Sequence, residues 1–260
     1  MILLCLGDVV SAPGVEAVRR FLPGLKRKYR PDAIVINGEN SAVGNGIDRA
    51  AAETLFSLGA DVITGGNHSF QRKGAEELHE ENPALLRPAN WGSGCFGTGS
   101  CRIDMGRYDL RVISLQGSLF MNPCENPFLT LEALIGEAGP RDITVVDFHG
   151  EATAEKQALG WHFAGRAALI FGTHTHVQTN DARILPGGTG YLTDLGMCGA
   201  RDSILGKGLE PCVHNFIDPE HRMKITDGQA PYMVNGLVAE IDERAGKCLA
   251  LELINLQETN

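Results

Sequence analysis

Ala168-Leu-Ile-Phe-Gly-Thr-His174-Thr-His176 decides the reading of this chain. An apolar run of strand length meets Gly172, and two histidines follow at i and i+2. In extended backbone alternate side chains point the same way, so both imidazoles can face one metal cluster. Four other apolar runs end alike, with a potential metal ligand just past the last hydrophobic residue. Residues 2–6 run into Gly7-Asp8, and 33–37 into Gly38-Glu39-Asn40. Residues 61–64 run into Gly65-Gly66-Asn67-His68, and 143–146 into Asp147-Phe148-His149-Gly150-Glu151. Continuous apolar runs of this length mark strands buried on both faces.

The segments between these runs read as helices. Residues 13–29 carry Val15, Val18, Leu22 and Leu25 on one stripe, with Arg19, Arg20 and the basic run 26–28 off it as a solvated face. Asp48 caps an alanine-rich helix carrying Leu55 and Leu58, and Gly59 closes it. Further helices are expected over 74–81, 128–137 and 152–163. Strand–helix alternation through the first three runs predicts a parallel sheet with crossover helices. Residues 90–100, rich in Gly and Ser, read as a loop, and 101–105 and 109–115 as strands. Residues 191–194 form a short strand candidate, and 199–230 read as loop. Residues 233–241 and 248–256 form a hairpin through Glu243-Arg244-Ala245-Gly246. No repeat or linker divides the chain, which predicts a single domain over 1–260.

Composition narrows the function classes. With 260 residues, 43% hydrophobic and 21% charged, the chain can bury an ample core. The net charge of −9 argues against general affinity for nucleic-acid backbone or an anionic membrane surface. A phosphate-bearing substrate stays compatible, because bound metal inverts the local charge. Seven dispersed cysteines without a CxxC pair point to reduced thiols and a cytoplasmic setting. The apolar N-terminus lacks the basic lead of a signal peptide, and no run approaches the ~20 residues of a membrane span.

In parallel α/β sheets, ligands gather outside the carboxyl ends of the strands. Asp8, Glu39, Asn67, His149, His174 and His176 all sit there. Singly each has a plainer explanation: Asp8 as a helix cap, Glu39-Asn40 as turn residues, His149 as a structural histidine. His79 and His162, on expected helices, read as structural, and His214 and His221 as exposed. Together, carboxylate, amide and imidazole without thiolate suit Mn, Fe or Zn. An amidohydrolase-type barrel also uses a His-x-His pair, but on its first strand. Here the pair comes late, and there are too few strand–helix units for eight.

Gly7-Asp8, Gly38-Glu39-Asn40, Gly66-Asn67-His68, His149-Gly150 and Gly172-Thr-His174-Thr-His176 resemble the calcineurin-like metallophosphoesterases, and most closely their YmdB-type bacterial branch. In that branch the usual Asp-x-His opening lacks its histidine, and Glu-Asn replaces Gly-Asp. Val10 and Glu39-Asn40 show both departures. Thr193-Asp-Leu-Gly-Met, Asp202-Ser-Ile-Leu-Gly and the closing strand pair extend the resemblance over nearly the whole chain. It implies a two-sheet α/β/β/α sandwich with two metal ions, Fe or Mn, at the C-terminal ends of the strands. Asp8, Glu39, Asn40 and His176 would hold one ion. Glu39, Asn67, His149 and His174 would hold the other, with Glu39 bridging and Asn40 replacing the lost histidine.

His68 would be the acid that protonates the leaving oxygen. The implied substrate is a small phosphodiester, a 2′,3′-cyclic nucleotide in the nearest relatives, and a homo-oligomer is compatible. A hydroxide shared by two ions is a nucleophile available near neutral pH, and the ions neutralise phosphoryl oxygens. A neighbouring histidine can supply the proton. The competing class is a non-catalytic, metal-stabilised module that senses nucleotides or regulates. No basic or aromatic stretch marks a nucleic-acid groove, and stable nucleic-acid binding is not expected.

Overall fold

The computed structural model describes residues 1–92 and 94–259. Ser93, inside the expected loop 90–100, lies outside the described residues. The chain opens with β1 (Ile2–Leu6), β2 (Asp8–Val9) and α1 (Ser11–Tyr29). It continues through β3 (Ala33–Asn37), α2 (Arg49–Leu58), β4 (Val62–Thr64) and α3 (Ala75–Glu81). Next come β5 (Ser100–Asp104), β6 (Asp109–Gln116), α4 (Pro127–Gly136), β7 (Asp142–His149), α5 (Thr153–His162) and β8 (Leu169–Thr173). The last part holds β9 (Arg183–Leu185), β10 (Thr189–Leu192), β11 (Met197–Ala200), α6 (Leu209–Ile217), β12 (Tyr232–Asp242) and β13 (Lys247–Gln257).

These strands make two sheets. The first runs β2-β11-β12-β1-β3-β4, with β13 paired to β12. The second runs β5-β6-β7-β8-β10-β9. In the second sheet the inner four strands are parallel and the two edge strands antiparallel. In the first, β1, β3 and β4 are parallel as expected, but β12 lies antiparallel against the free side of β1, so the sheet is mixed.

Alternation along the strands builds the layers. Leu3, Cys5, Val35 and Val62 of the first sheet meet Leu110, Val112, Val145, Leu169 and Phe171 of the second in the central core. The alternate residues Leu4, Leu6, Ile34, Ile36 and Ile63 face outward under α1 and α2, packing against Val18, Leu22, Leu25 and Leu55. Ile113, Leu115, Val146, Phe148 and Ile170 face outward under Leu131 of α4, Leu159 of α5 and Phe163 just past it. The order is α/β/β/α, and it explains the unbroken apolar runs: each central strand is covered on both sides. Burying a side chain of this size stabilises by about 1.5–3 kcal/mol.

Three expectations need correction. Residues 199–230 contain α6, bounded by Gly208 and Asp218-Pro219. Its larger apolar side chains, Leu209, Val213, Phe216 and Ile217, are exposed, so the helix adds nothing to the core pattern that marks the others. β11 is short and includes Gly199, without periodicity, and exists because β2 and β12 flank it. β7 does not stop at Val146 but continues to His149, where its inward face turns polar. The Asp48 cap, the left-handed Gly59 and the final hairpin are as expected. No described helix is long and apolar enough to cross a membrane.

Candidate metal centre

At the carboxyl ends of the strands the inward face switches from apolar to polar. The positions that continue Val35, Val62, Val145 and Phe171 are Asn37, Thr64, Asp147 and Thr173, all fully or almost fully buried. Asp147 ties the sheets together at this level. Its Oδ2 accepts from Asn37 Nδ2 at 3.0 Å and from Thr64 Oγ1, and its Oδ1 from Thr173 Oγ1 at 2.7 Å. Thr173 Oγ1 also lies 2.9 Å from His149 Nδ1. With its hydrogen given to Asp147, that hydroxyl accepts from His149 Nδ1–H. The imidazole is thereby fixed with Nε2 as its ligand atom.

Above this floor the candidate ligands form two groups around Glu39. His149 Nε2 lies 3.3 Å from Glu39 Oε2, 3.0 Å from Asn67 Oδ1 and 3.1 Å from His174 Nδ1. On the other side, Asn40 Nδ2 donates to Glu39 Oε1 at 2.7 Å and lies 3.4 Å from His176 Nε2, which is 3.7 Å from Asp8 Oδ1. One carboxylate oxygen of Glu39 faces each group. Asn40 Oδ1 points at His68 Nδ1, 2.9 Å away, so its amide would have to turn over to present oxygen beside His176.

The His-x-His pair converges for a different reason from the one expected. β8 ends at Thr173, and both histidines lie beyond it in the left-handed region, with φ of 100° at His174 and 64° at His176. The rings therefore do not share a strand face. His174 reaches His149, while His176 reaches Asp8. Non-glycine residues in such conformations cost of order 1–3 kcal/mol each and persist only where surrounding contacts hold them. Asp8 Oδ2 accepts from His174 N at 3.0 Å, and Leu205 O lies 3.2 Å from His176 Nδ1.

Charge follows from this crowding. Burial works against an anion at Glu39, but His149 and His68 outweigh it and hold the carboxyl well below its usual range. Burial raises Asp8, against the pull of His176 and His149. Burial opposes a charged ring at His149, yet Glu39, Asp8 and Asp147 push its pKa up to about 9. Burial and the neighbouring His149 push His174 down to about 3. Burial lifts Asp147 to about 6, despite His149 and its three hydrogen-bond donors.

The donor set fits metal. Ligand atoms of Glu39, His149 and His174 lie within 4.8 Å of one another. Among the described residues Asp8 Oδ1 is buried without a hydrogen-bond partner, an expensive arrangement that a bound cation would relieve. A Cβ at Gly66 would overlap Glu39 Oε2 and His149 Nε2, so only glycine leaves that space open. His68 sits at the mouth, 24% exposed, its Nδ1 held by Asn40 Oδ1 and by Glu39 Oε1 at 3.1 Å. The open side is a cleft of about 390 Å³ lined by Val10, Asn45, His68, Glu151, Leu205 and Lys207 among others.

Several residues here escaped the sequence reading. Glu151 Oε2 lies 3.1 Å from His174 Nε2, and Lys207 Nζ bonds Gly44 O at 2.7 Å and Asp227 Oδ1 at 2.8 Å. Asp194 lies two residues past the short strand β10, the same signal that marked Glu39 and would have found it. Nothing marked Lys156 or Lys207, which reach the site from a helix and a loop. His79 is structural as expected, its Nδ1 donating to Ala75 O at 2.7 Å, and His162, His214 and His221 stand apart from the site.

Two facing sheets under helices, with such a ligand set at the strand ends, define a sandwich of the metallophosphoesterase type. The YmdB-like protein family matches residues 4–254, and this chain belongs to that family. It is 42% identical over 259 residues to a 2′,3′-cyclic-nucleotide 2′-phosphodiesterase of Bacillus subtilis strain 168, covering 99% of this chain and 98% of that protein. A crystal structure from Thermus thermophilus, described as a hypothetical protein, superposes with a TM-score of 0.92 at 34% identity, over all of both chains. A crystal structure described as a novel phosphatase, from Mycoplasma pneumoniae, gives 0.91 at 32% identity, over 99% of this chain and 93% of that one.

Proposed function

We propose that this protein is a metal-dependent phosphodiesterase acting on a small phosphodiester, with 2′,3′-cyclic nucleotides as the substrate class. The observation that carries it is Glu39, a buried carboxylate with one oxygen toward each of two ligand groups. Asp8, Asn40 and His176 would complete one metal site, and Asn67, His149 and His174 the other. The name of the Bacillus relative supports the substrate class.

Two divalent ions bound there would supply Lewis acidity toward phosphoryl oxygens and a lowered pKa for water. The chain supplies the rest. His149 is oriented through Thr173 and Asp147, so its ring cannot rotate away when substrate enters. His68 is clamped at Nδ1, and its Nε2 has no hydrogen-bond partner among the described residues. That atom would give a proton to the leaving oxygen, a contribution of about 10²–10⁴-fold in rate. Lys207 has two of its three N–H groups engaged and lines the same cleft, leaving one for a phosphoryl oxygen.

The test is elemental analysis of the purified protein beside turnover of 2′,3′-cyclic AMP and bis-p-nitrophenyl phosphate. The expected result is close to two metals per chain and hydrolysis abolished by chelation. Metal without turnover on either compound would favour the nucleotide-sensing module, and no metal under any loading condition would remove the proposed chemistry altogether.

A further inference from the structure

Behind the His174-Thr175-His176 turn lies an ion pair that the proposed chemistry does not use. Lys156 of α5 and Asp194, just after β10, are 2% and 1% exposed, with Nζ 2.7 Å from Oδ2. A buried pair of this kind is often no more stabilising than apolar residues of the same shape, so its presence calls for a local reason. The other contacts supply one. Lys156 Nζ donates to Thr173 O at 2.7 Å. Asp194 Oδ2 accepts from Thr175 N at 3.2 Å and Thr175 Oγ1 at 2.8 Å, while its Oδ1 accepts from Gly196 N at 2.8 Å. The pair thus grips both neighbours of His174, and Thr175 is also the neighbour of His176.

Gly172 belongs to the same device. A Cβ there would collide with Thr193 O and lie 2.9 Å from Lys156 Cδ, so the glycine gives the lysine stem its passage beneath the turn. Both histidines hold left-handed conformations that isolated L-residues avoid. From below, the residues on either side of His174 are held by Lys156 and Asp194, while Asp8 and Leu205 contact the histidines themselves.

We propose that Lys156 and Asp194 are positioning residues, a buried ion pair that holds the His174–His176 turn in the geometry that aims one imidazole at each half of the metal centre. This rests on the metal-centre reading above. It predicts that loosening the pair weakens metal binding at an intact fold, before any substrate is added.

The experiment titrates metal-free full-length protein with Mn(II), following heat and the electron paramagnetic resonance line shape, with thermal unfolding as the check on folding. The double variant Lys156→Met/Asp194→Leu removes the pair without stranding a buried charge. Mn(II) affinity is expected to fall about 10- to 100-fold, with an altered line shape. Thr175→Val keeps the β-branched volume and loses the hydroxyl bond to Asp194, together with long contacts of 3.4 and 3.5 Å to the Val177 backbone. A loss of about three- to tenfold is expected there, and this variant decides the matter if the double variant does not fold. Variants that fold and bind Mn(II) with wild-type affinity and line shape would overturn the positioning role, whatever happens to their melting temperature. Wild type that takes up no Mn(II) would overturn the metal centre and this inference with it.

Discussion

The two sheets contribute different chemistry to one site. The first supplies the oxygen donors of the proposed metal centre: Asp8 in β2, Glu39-Asn40 after β3 and Asn67 after β4. The second supplies imidazoles: His149 at the end of β7, and His174 and His176 after β8. Their support differs too. The histidines are held from outside the ligand set, by Thr173, Asp147, Glu151 and the Lys156–Asp194 pair. The oxygen donors lean mostly on the site's own members, and Asp8 Oδ1 has no hydrogen-bond partner among the described residues, only His176 and His149 nitrogens at 3.7 and 3.9 Å. The imidazole half is preorganised, while the carboxylate half would be completed by the proposed cation.

Removing the bridge tests this contrast most severely. Glu39→Ala should lose metal and lower kcat/KM for 2′,3′-cyclic AMP by about 10³-fold or more, since the ions are worth several kcal/mol and each 1.36 kcal/mol is tenfold. Metal content and turnover measured on one preparation check it. His68→Ala should keep both metals and lose about 10²–10⁴-fold in rate. Equal turnover to wild type would remove His68 from the mechanism.

Support of the imidazole half is probed by Thr173→Val, which keeps shape but takes away the acceptor at His149 Nδ1. Metal affinity should drop about 10- to 100-fold, read by competition with a chelating dye. If the carboxylate half depends on the ion, chelation should also lower the melting temperature. Metal at 100 times its dissociation constant adds about 2.7 kcal/mol, which for a chain of this size is roughly 5–10 °C. An unchanged melting curve would mean that the two sheets do not need the metal to stay together.

The smallest effect is expected at the opposite ends of the strands. Arg102 binds Asp142 there at 2.9 Å. Burial raises Asp142, but Arg102 overcomes this and holds its carboxyl below the usual value. The stability this adds is present at neutral pH and lost as pH falls through the lowered carboxyl value. Arg102→Ala should cost about 1 kcal/mol by denaturant unfolding and leave kcat/KM unchanged, because Arg102 is half exposed, the buried Asp142 carboxyl keeps Gly139 N and Arg111, and the pair is far from the candidate ligands.

Much of this was legible in the chain itself. Apolar runs buried on both faces, each ending in a polar ligand, depend on local composition, and a strand end is the same signal wherever it occurs. Asp8, Glu39, Asn67, His149, His174 and His176 could therefore be named before any coordinate. Tertiary structure alone decided the rest. The pairing of β12 beside β1 and the exposed helix α6 depend on partners distant in sequence. The left-handed backbone at His174 and His176 goes with contacts from distant residues, Asp8 at His174 N, Asp194 at Thr175 and Leu205 at the His176 ring, which periodicity does not reveal. Lys156, 17 residues from Thr173, and Asp194, 19 from Thr175, meet only once β10 pairs with β8 and α5 covers that sheet. Periodicity records which face of an element is buried; it carries no information about which distant groups will meet there.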